Sequence, residues 1–104
     1  MDTDKPVARV FRATARPETK EVLLHLFRTV SRDVVRSKDG LVRLTVYEPI
    51  DAAEMDLGFE TIWRSLAHVE AAFGQGWQLP HLPKGYAEMI DSCSVEHYFV
   101  DIDP

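Results

Sequence analysis

One stretch constrains this chain more than any other: Leu57-Gly-Phe-Glu-Thr-Ile-Trp63-Arg64-Ser65, followed at once by Leu66-Ala-His-Val-Glu-Ala-Ala-Phe73. Its first part alternates with the period of a strand. Ser65, a residue suited to capping a helix, stands where the spacing changes to that of a helix. A strand that runs straight into a capped helix predicts a fold in which sheet and helices share one core.

The rest of the chain fits around that junction. Val7 to Ala15 mixes β-branched and aromatic residues with arginines and predicts a first strand, after a disordered lead-in over residues 1–6. Pro17 and Glu18 suit a first helical turn. The helix predicted from residue 19 to about 38 has Leu23, Leu26, Phe27, Val30 and Val34 as one apolar face. Arg28, Arg32 and Arg36 form a basic stripe elsewhere on it, read as a solvated face rather than an anion site. Asp39 and Gly40 supply the stop, with Gly40 free to take the left-handed conformation. Residues 41–48 and 57–64 predict a β-hairpin whose acidic connection exceeds the common loop lengths. That connection reads as a surface loop, with a lid over a pocket as the other reading. Gly74-Gln-Gly76 breaks the second helix and lacks the strand and basic residue of a phosphate-binding loop. Residues 77–83 are irregular, residues 85–90 predict a short helix, and residues 94–102 a fourth strand. The resulting fold class is α+β: a ferredoxin-like split βαββαβ in a single domain over residues 1–104, with a four-stranded antiparallel sheet and helices on one face.

Alternation along the strands separates two sets of positions. One holds Arg9, Phe11 and Ala13; Arg43, Thr45 and Tyr47; Leu57, Phe59, Thr61 and Trp63; Val95, His97 and Phe99. The other is plainer and aliphatic at its centre, with Val10, Leu44, Val46, Ile62 and Val100. The aliphatic set is expected to pack on the helices. The aromatic set, with its few polar members, is expected on the far face of the sheet, where two subunits meeting would enclose a ligand pocket.

Composition excludes several function classes. A net charge of −5 argues against nucleic acid or an anionic membrane as partner. No apolar run approaches the roughly 20 residues of a membrane span. Cys93 is the single cysteine, which rules out an intrachain disulfide and fits a cytoplasmic location. No Cys/His cluster, paired-carboxylate site or Ser-His-Asp arrangement has suitable spacing, so no metal site is expected.

Phe59-Glu-Thr-Ile-Trp63-Arg64-Ser65 with Val69-Glu-Ala-Ala-Phe73 resembles the antibiotic biosynthesis monooxygenase (ABM-like) family of dimeric α/β barrels. Pro80-His81-Leu82 is similar to that family's step into a further short helix, and residues 95–100 to its last strand. The likeness extends over about residues 7–102. It implies a homodimer paired through the open sheet face and a small-molecule ligand in a pocket between sheet and helices. In members acting on polycyclic aromatic ketones it also implies a monooxygenase, hence an oxidoreductase, that uses no cofactor. There a proton leaves an acidic C–H, the enolate reacts with oxygen, and polar groups stabilise the oxyanion. Trp63 matches the strand tryptophan that lines the pocket in such members. The family's haem degraders use an asparagine on the first strand and a tryptophan on the second helix. Here residues 8–13 lack the asparagine, and the helix position falls near Phe73, so haem degradation is disfavoured.

The catalytic candidates are His97, Trp63 and Arg43; those for substrate binding are Phe11, Tyr47, Phe59, Thr61, His81 and Phe99. Arg9 is a further polar member of the aromatic set. His97 is the preferred base, because imidazole titrates near neutral pH; its other reading is a hydrogen-bonded core histidine. Trp63 reads equally as a pocket wall or a dimer-interface anchor, and His81 as a rim residue between two prolines. Three functions stand: a cofactor-independent monooxygenase of an aromatic or enolisable, polyketide-like compound; a non-catalytic small-molecule-binding or accessory barrel; and an isomerase-type member of the same fold.

Overall fold

In the computed structural model, which describes residues 5–102, β1 (Val7–Ala15) runs through a short 3-10 turn into α1 (Lys20–Leu26). The lead-in expected over residues 1–6 lies, for residues 1–4, outside the described residues. A π-helical stretch, Phe27–Ser31, joins α1 without a break to α2 (Arg32–Arg36). Then follow β2 (Leu41–Tyr47), β3 (Asp56–Trp63), α3 (Leu66–Phe73) and β4 (Ile90–Phe99). The strand order is β2-β3-β1-β4 and every neighbouring pair is antiparallel. This is the expected split βαββαβ arrangement, with β1 central and Val7 through Phe11 all buried.

The two faces of the sheet are exchanged relative to expectation. Phe11, Ala13, Leu57 and Phe59 pack with Leu23, Leu24 and Phe27 of the long helical run. Val7 and Trp63 pack with Val35 and Val69. Aromatic residues therefore face the helices, and Ala8, Val10 and Ile62 form the small apolar centre of the open face. The aliphatic set looked like the better helix-packing surface because it lacks charge. The helices need bulk to fill the gap above the sheet, and the phenyl rings supply it.

β2 departs from the common alternation for a separate reason. Leu41 lies opposite Trp63, but Arg43 lies opposite Ile62, so a β-bulge intervenes at Val42. One extra residue turns every later side chain of the strand to the other face. Leu44 and Val46 therefore join the helix side, opposite Thr61 and Phe59, while Arg43, Thr45 and Tyr47 share the open face with Glu60.

A similar one-residue shift reshapes the helical run. Val30 and Val34, expected on the apolar face, are 43% and 38% exposed, and Val35 is 5% exposed. The π-helical stretch holds one residue more than an α-turn, which carries Val35 onto the line set by Leu23 and Phe27. The predicted helix stop holds: Gly40 has φ +91° and its carbonyl accepts from Arg64 N at 2.8 Å. At the other end of β3, Ser65 caps α3, its side chain accepting from His68 N–H at 3.3 Å.

The last strand starts earlier than expected. Residues 92–94 pair with β1, so the short helix contracts to a single 3-10 turn, Ala87–Met89. The long hairpin connection is tied down rather than lid-like. Buried Lys20 donates to Ala52 O at 2.8 Å, and Ala15 N to Met55 O at 2.8 Å.

Candidate functional site

Between the sheet and the helices lies a cavity of about 140 Å³. Its floor is the aromatic face of the two central strands: Arg9 and Phe11 from β1, Phe59 and Thr61 from β3. Its roof comes from Phe27 and Ser31 of the π-helical stretch and Val34 and Val35 of α2, with Lys38 beyond. Phe73 of α3 and the loop residues His81 and Pro83 close one end. A larger groove, about 570 Å³, lies on the open face. It is a shallow polar trough whose charges are already paired, Arg12 with Glu96 and Tyr47 Oη with Glu60 at 3.0 Å. The less open, aromatic-walled space is the better candidate ligand site.

Arg9 dominates the polar side of the cavity. It is 4% exposed. Its Nη1 donates to the carbonyl of Trp77 and meets His97 Nε2 at 3.0 Å; Nη2 donates to Leu79 O at 3.0 Å. The guanidinium carbon sits 3.9 Å from the centre of the Phe73 ring, a cation–π contact. No carboxylate pairs with Arg9 among the described residues, and its Nε makes no hydrogen bond among them. Burial lowers its pKa to about 10, so the group is still a cation at neutral pH.

A guanidinium has only N–H donors, so the facing Nε2 of His97 must be the unprotonated nitrogen and its proton must sit on Nδ1. Burial, and then the charge of Arg9, lower the pKa of His97 below the usual histidine value. Trp77 stacks edge-on against the imidazole, ring centres 4.9 Å apart. While this contact lasts, the basic nitrogen of His97 is occupied, and the side chain stands behind Arg9 rather than on the cavity wall.

Thr61 supplies the second polar group. Its Oγ1 accepts from Trp63 Nε1 at 2.8 Å, and the hydroxyl hydrogen has no acceptor among the described residues. Trp63 itself is 0% exposed, packed edge-on against Phe73 at 5.6 Å. It is neither a cavity wall nor a surface anchor, because it fills the core beneath α3 one layer behind the site. Ser31 Oγ, on the roof, shares a 2.9 Å hydrogen bond with Tyr86 Oη.

Of the residues singled out in the sequence, Phe11, Phe59, Thr61 and His81 meet in the cavity. His97 and Trp63 touch lining residues from behind. Arg43 and Tyr47 lie on the opposite face of the sheet, carried there by the bulge. Phe99, at the end of β4, is 59% exposed and off the cavity. Phe27, Phe73 and Lys38 were not singled out as site residues. Their signal, apolar spacing on both helices and a cation just after one of them, is the same for a core or surface residue. Among the described residues, no group of three or more His, Cys, Asp or Glu is arranged to hold a metal ion.

Solved structures share this arrangement of strands and helices. This fold matches SnoaB, a cofactor-independent oxygenase from Streptomyces nogalater, with TM-score 0.70 and 15% identity over 95% of this chain and 96% of that one. It likewise matches a protein assigned to the antibiotic biosynthesis monooxygenases from Nitrosomonas europaea, with TM-score 0.72 and 10% identity over 96% and 94%. A protein from Shewanella oneidensis matches with TM-score 0.72 and 16% identity over 91% and 90%. The fold of the ABM-like proteins, anticipated from the residues around Trp63, is thus the fold of this chain. No family model matches the sequence, and no curated protein matches it.

Proposed function

We propose that the chain is a small-molecule oxygenase of the kind its structural neighbours exemplify, taking an aromatic or enolisable substrate into the cavity between sheet and helices. The observation that carries this reading is the pairing of a phenyl-lined space with three unspent donors, Nε–H and one Nη2–H of Arg9 and the Thr61 hydroxyl. An enolate formed there would find its developing oxyanion faced by a fixed cation and a hydroxyl in a site with little water. His81 is the imidazole on the cavity rim and the base in this reading. His97 then acts as a positioning residue, holding the guanidinium from behind. For a methylene substrate, R₂CH₂ + O₂ → R₂C=O + H₂O balances with the substrate supplying all the reducing equivalents, so no cofactor is called for.

The test is oxygen uptake with a panel of hydroquinones and single-ring enolisable ketones, comparing wild type with His81→Ala and Thr61→Val. Loss of the base is expected to lower kcat by roughly 10²- to 10⁴-fold. Loss of the hydroxyl is expected to lower it by up to about 10²-fold with little change in KM. The second reading, a binding module without catalysis, is favoured by one observation: no imidazole with a free basic nitrogen is buried in the cavity. Wild-type protein that quenches its tryptophan fluorescence on binding but consumes no oxygen would establish that reading instead.

The open sheet face completes the proposal. Helices cover one side only, and the other carries Val10 and Ile62 flanked by half-exposed Tyr47 and Tyr98. Rows of both signs, Arg12 beside Glu96 and Arg43 near Glu60, make this face complementary to itself under a two-fold axis. A second copy of the chain is its proposed occupant, and a dimeric α/β barrel the product.

A further inference from the structure

Size and charge narrow the occupant of the cavity further, in a step that rests on the reading of that cavity as an aromatic ligand site. A volume of about 140 Å³ is room for one ring; an apolar protein cavity of about 150 Å³ holds a single benzene. A three-ring ketone exceeds that volume and would reach beyond the lining residues. The walls offer Phe11, Phe27, Phe59 and Phe73 to such a ring.

The charge of the lining is one-sided. Arg9 and half-buried Lys38 both border the space, and no aspartate or glutamate does, although the chain has 17 acidic against 12 basic residues. A buried cation without a carboxylate is costly unless other groups compensate it. Two carbonyls, an imidazole lone pair and a phenyl face offset part of that cost for Arg9 and leave its Nε–H and one Nη2–H unused. An arriving anion would supply the rest. We infer that the cavity takes a monocyclic aromatic anion, one ring bearing one carboxylate or phenolate, with the anionic oxygens on Arg9 and the ring among the phenylalanines.

The test titrates the full chain at pH 8 with benzoate, 4-nitrophenolate, benzyl alcohol, anthracene-9-carboxylate and anthrone. Affinity is read by calorimetry and location by the NMR signal of arginine Nε–H. At least one single-ring anion is expected to bind and shift the Arg9 signal, and the better of the two identifies the oxygen chemistry. Benzyl alcohol is expected to bind roughly 10- to 100-fold more weakly, the loss of one charge-assisted pair. Arg9→Lys should retain selectivity for the anion and Arg9→Gln lose it. Because Arg9 also holds the carbonyls of Trp77 and Leu79, Lys38→Gln is the second variant, expected to weaken anion binding roughly two- to fivefold and leave benzyl alcohol unaffected. Equal binding of benzyl alcohol, tighter binding of either tricyclic compound, or undiminished anion selectivity in folded Arg9→Gln overturns the inference and leaves the aromatic site standing. If no compound in the series binds, the aromatic site falls as well.

Discussion

Arg9 carries the polar side of the cavity, and its neighbour His97 makes that arrangement sensitive to pH. The folded-state pKa of His97 lies below its unfolded value, so the unfolded chain binds the proton more readily. The stability associated with neutral His97 is therefore fully present above the unfolded pKa of about 6.5 and is lost as pH falls through the lower folded value. Thermal melting from pH 8 to pH 5 is expected to show a falling midpoint that flattens in His97→Gln, whose amide oxygen still accepts from Arg9. An unchanged profile in that variant would separate His97 from the effect. Gly40 offers a second test. A Cβ there would lie 2.3 Å from His68 Cδ2, on a backbone at φ +91°, whereas Gly85 has φ +92° and open space around it. Gly40→Ala is expected to cost about 1–3 kcal/mol in urea unfolding, and Gly85→Ala less, since only the backbone term applies. Both glycines are visible in the sequence; the imidazole packed against one of them is not.

At the scale of elements, two single-residue irregularities determine what faces the cavity. The bulge at Val42 removes Arg43 and Tyr47 from the cavity side, and the π-helical stretch Phe27–Ser31 replaces Val34 with Val35 in the core. The helical shift predicts an asymmetry that an unbroken α-helix would reverse. Val35→Ala, in the core beside Trp63, is expected to lose about 1–3 kcal/mol. Val34→Ala, on the half-exposed side, should stay within about 0.5 kcal/mol of wild type. Denaturant midpoints of the two variants measure this, and equal losses would count against the shifted register. Neither irregularity leaves a mark in the local sequence. No glycine or proline stands at either place, and each is favoured by how the finished layers pack rather than by the residues that form it.

At the scale of the molecule, one covered and one open face make self-association the natural completion of the sheet. Light scattering at micromolar concentration is expected to give the mass of two chains, and Tyr98→Glu, on the open face, to return it to one. A monomeric wild type would remove the second copy from the proposal. The order of strands and helices, the stop at Gly40, the cap at Ser65 and the ABM-like fold were all determined by local sequence. Period, capping and turn residues act over a few neighbours, and the stretch from Leu57 to Phe73 contains all three. Which face of the sheet the helices cover was decided only by tertiary packing. Both alternating sets are apolar enough to be buried, and the choice between them depends on the volume to be filled above the strands. With that choice came the site itself: Arg9, Thr61 and four phenylalanines distant in sequence line one cavity because two layers close over them.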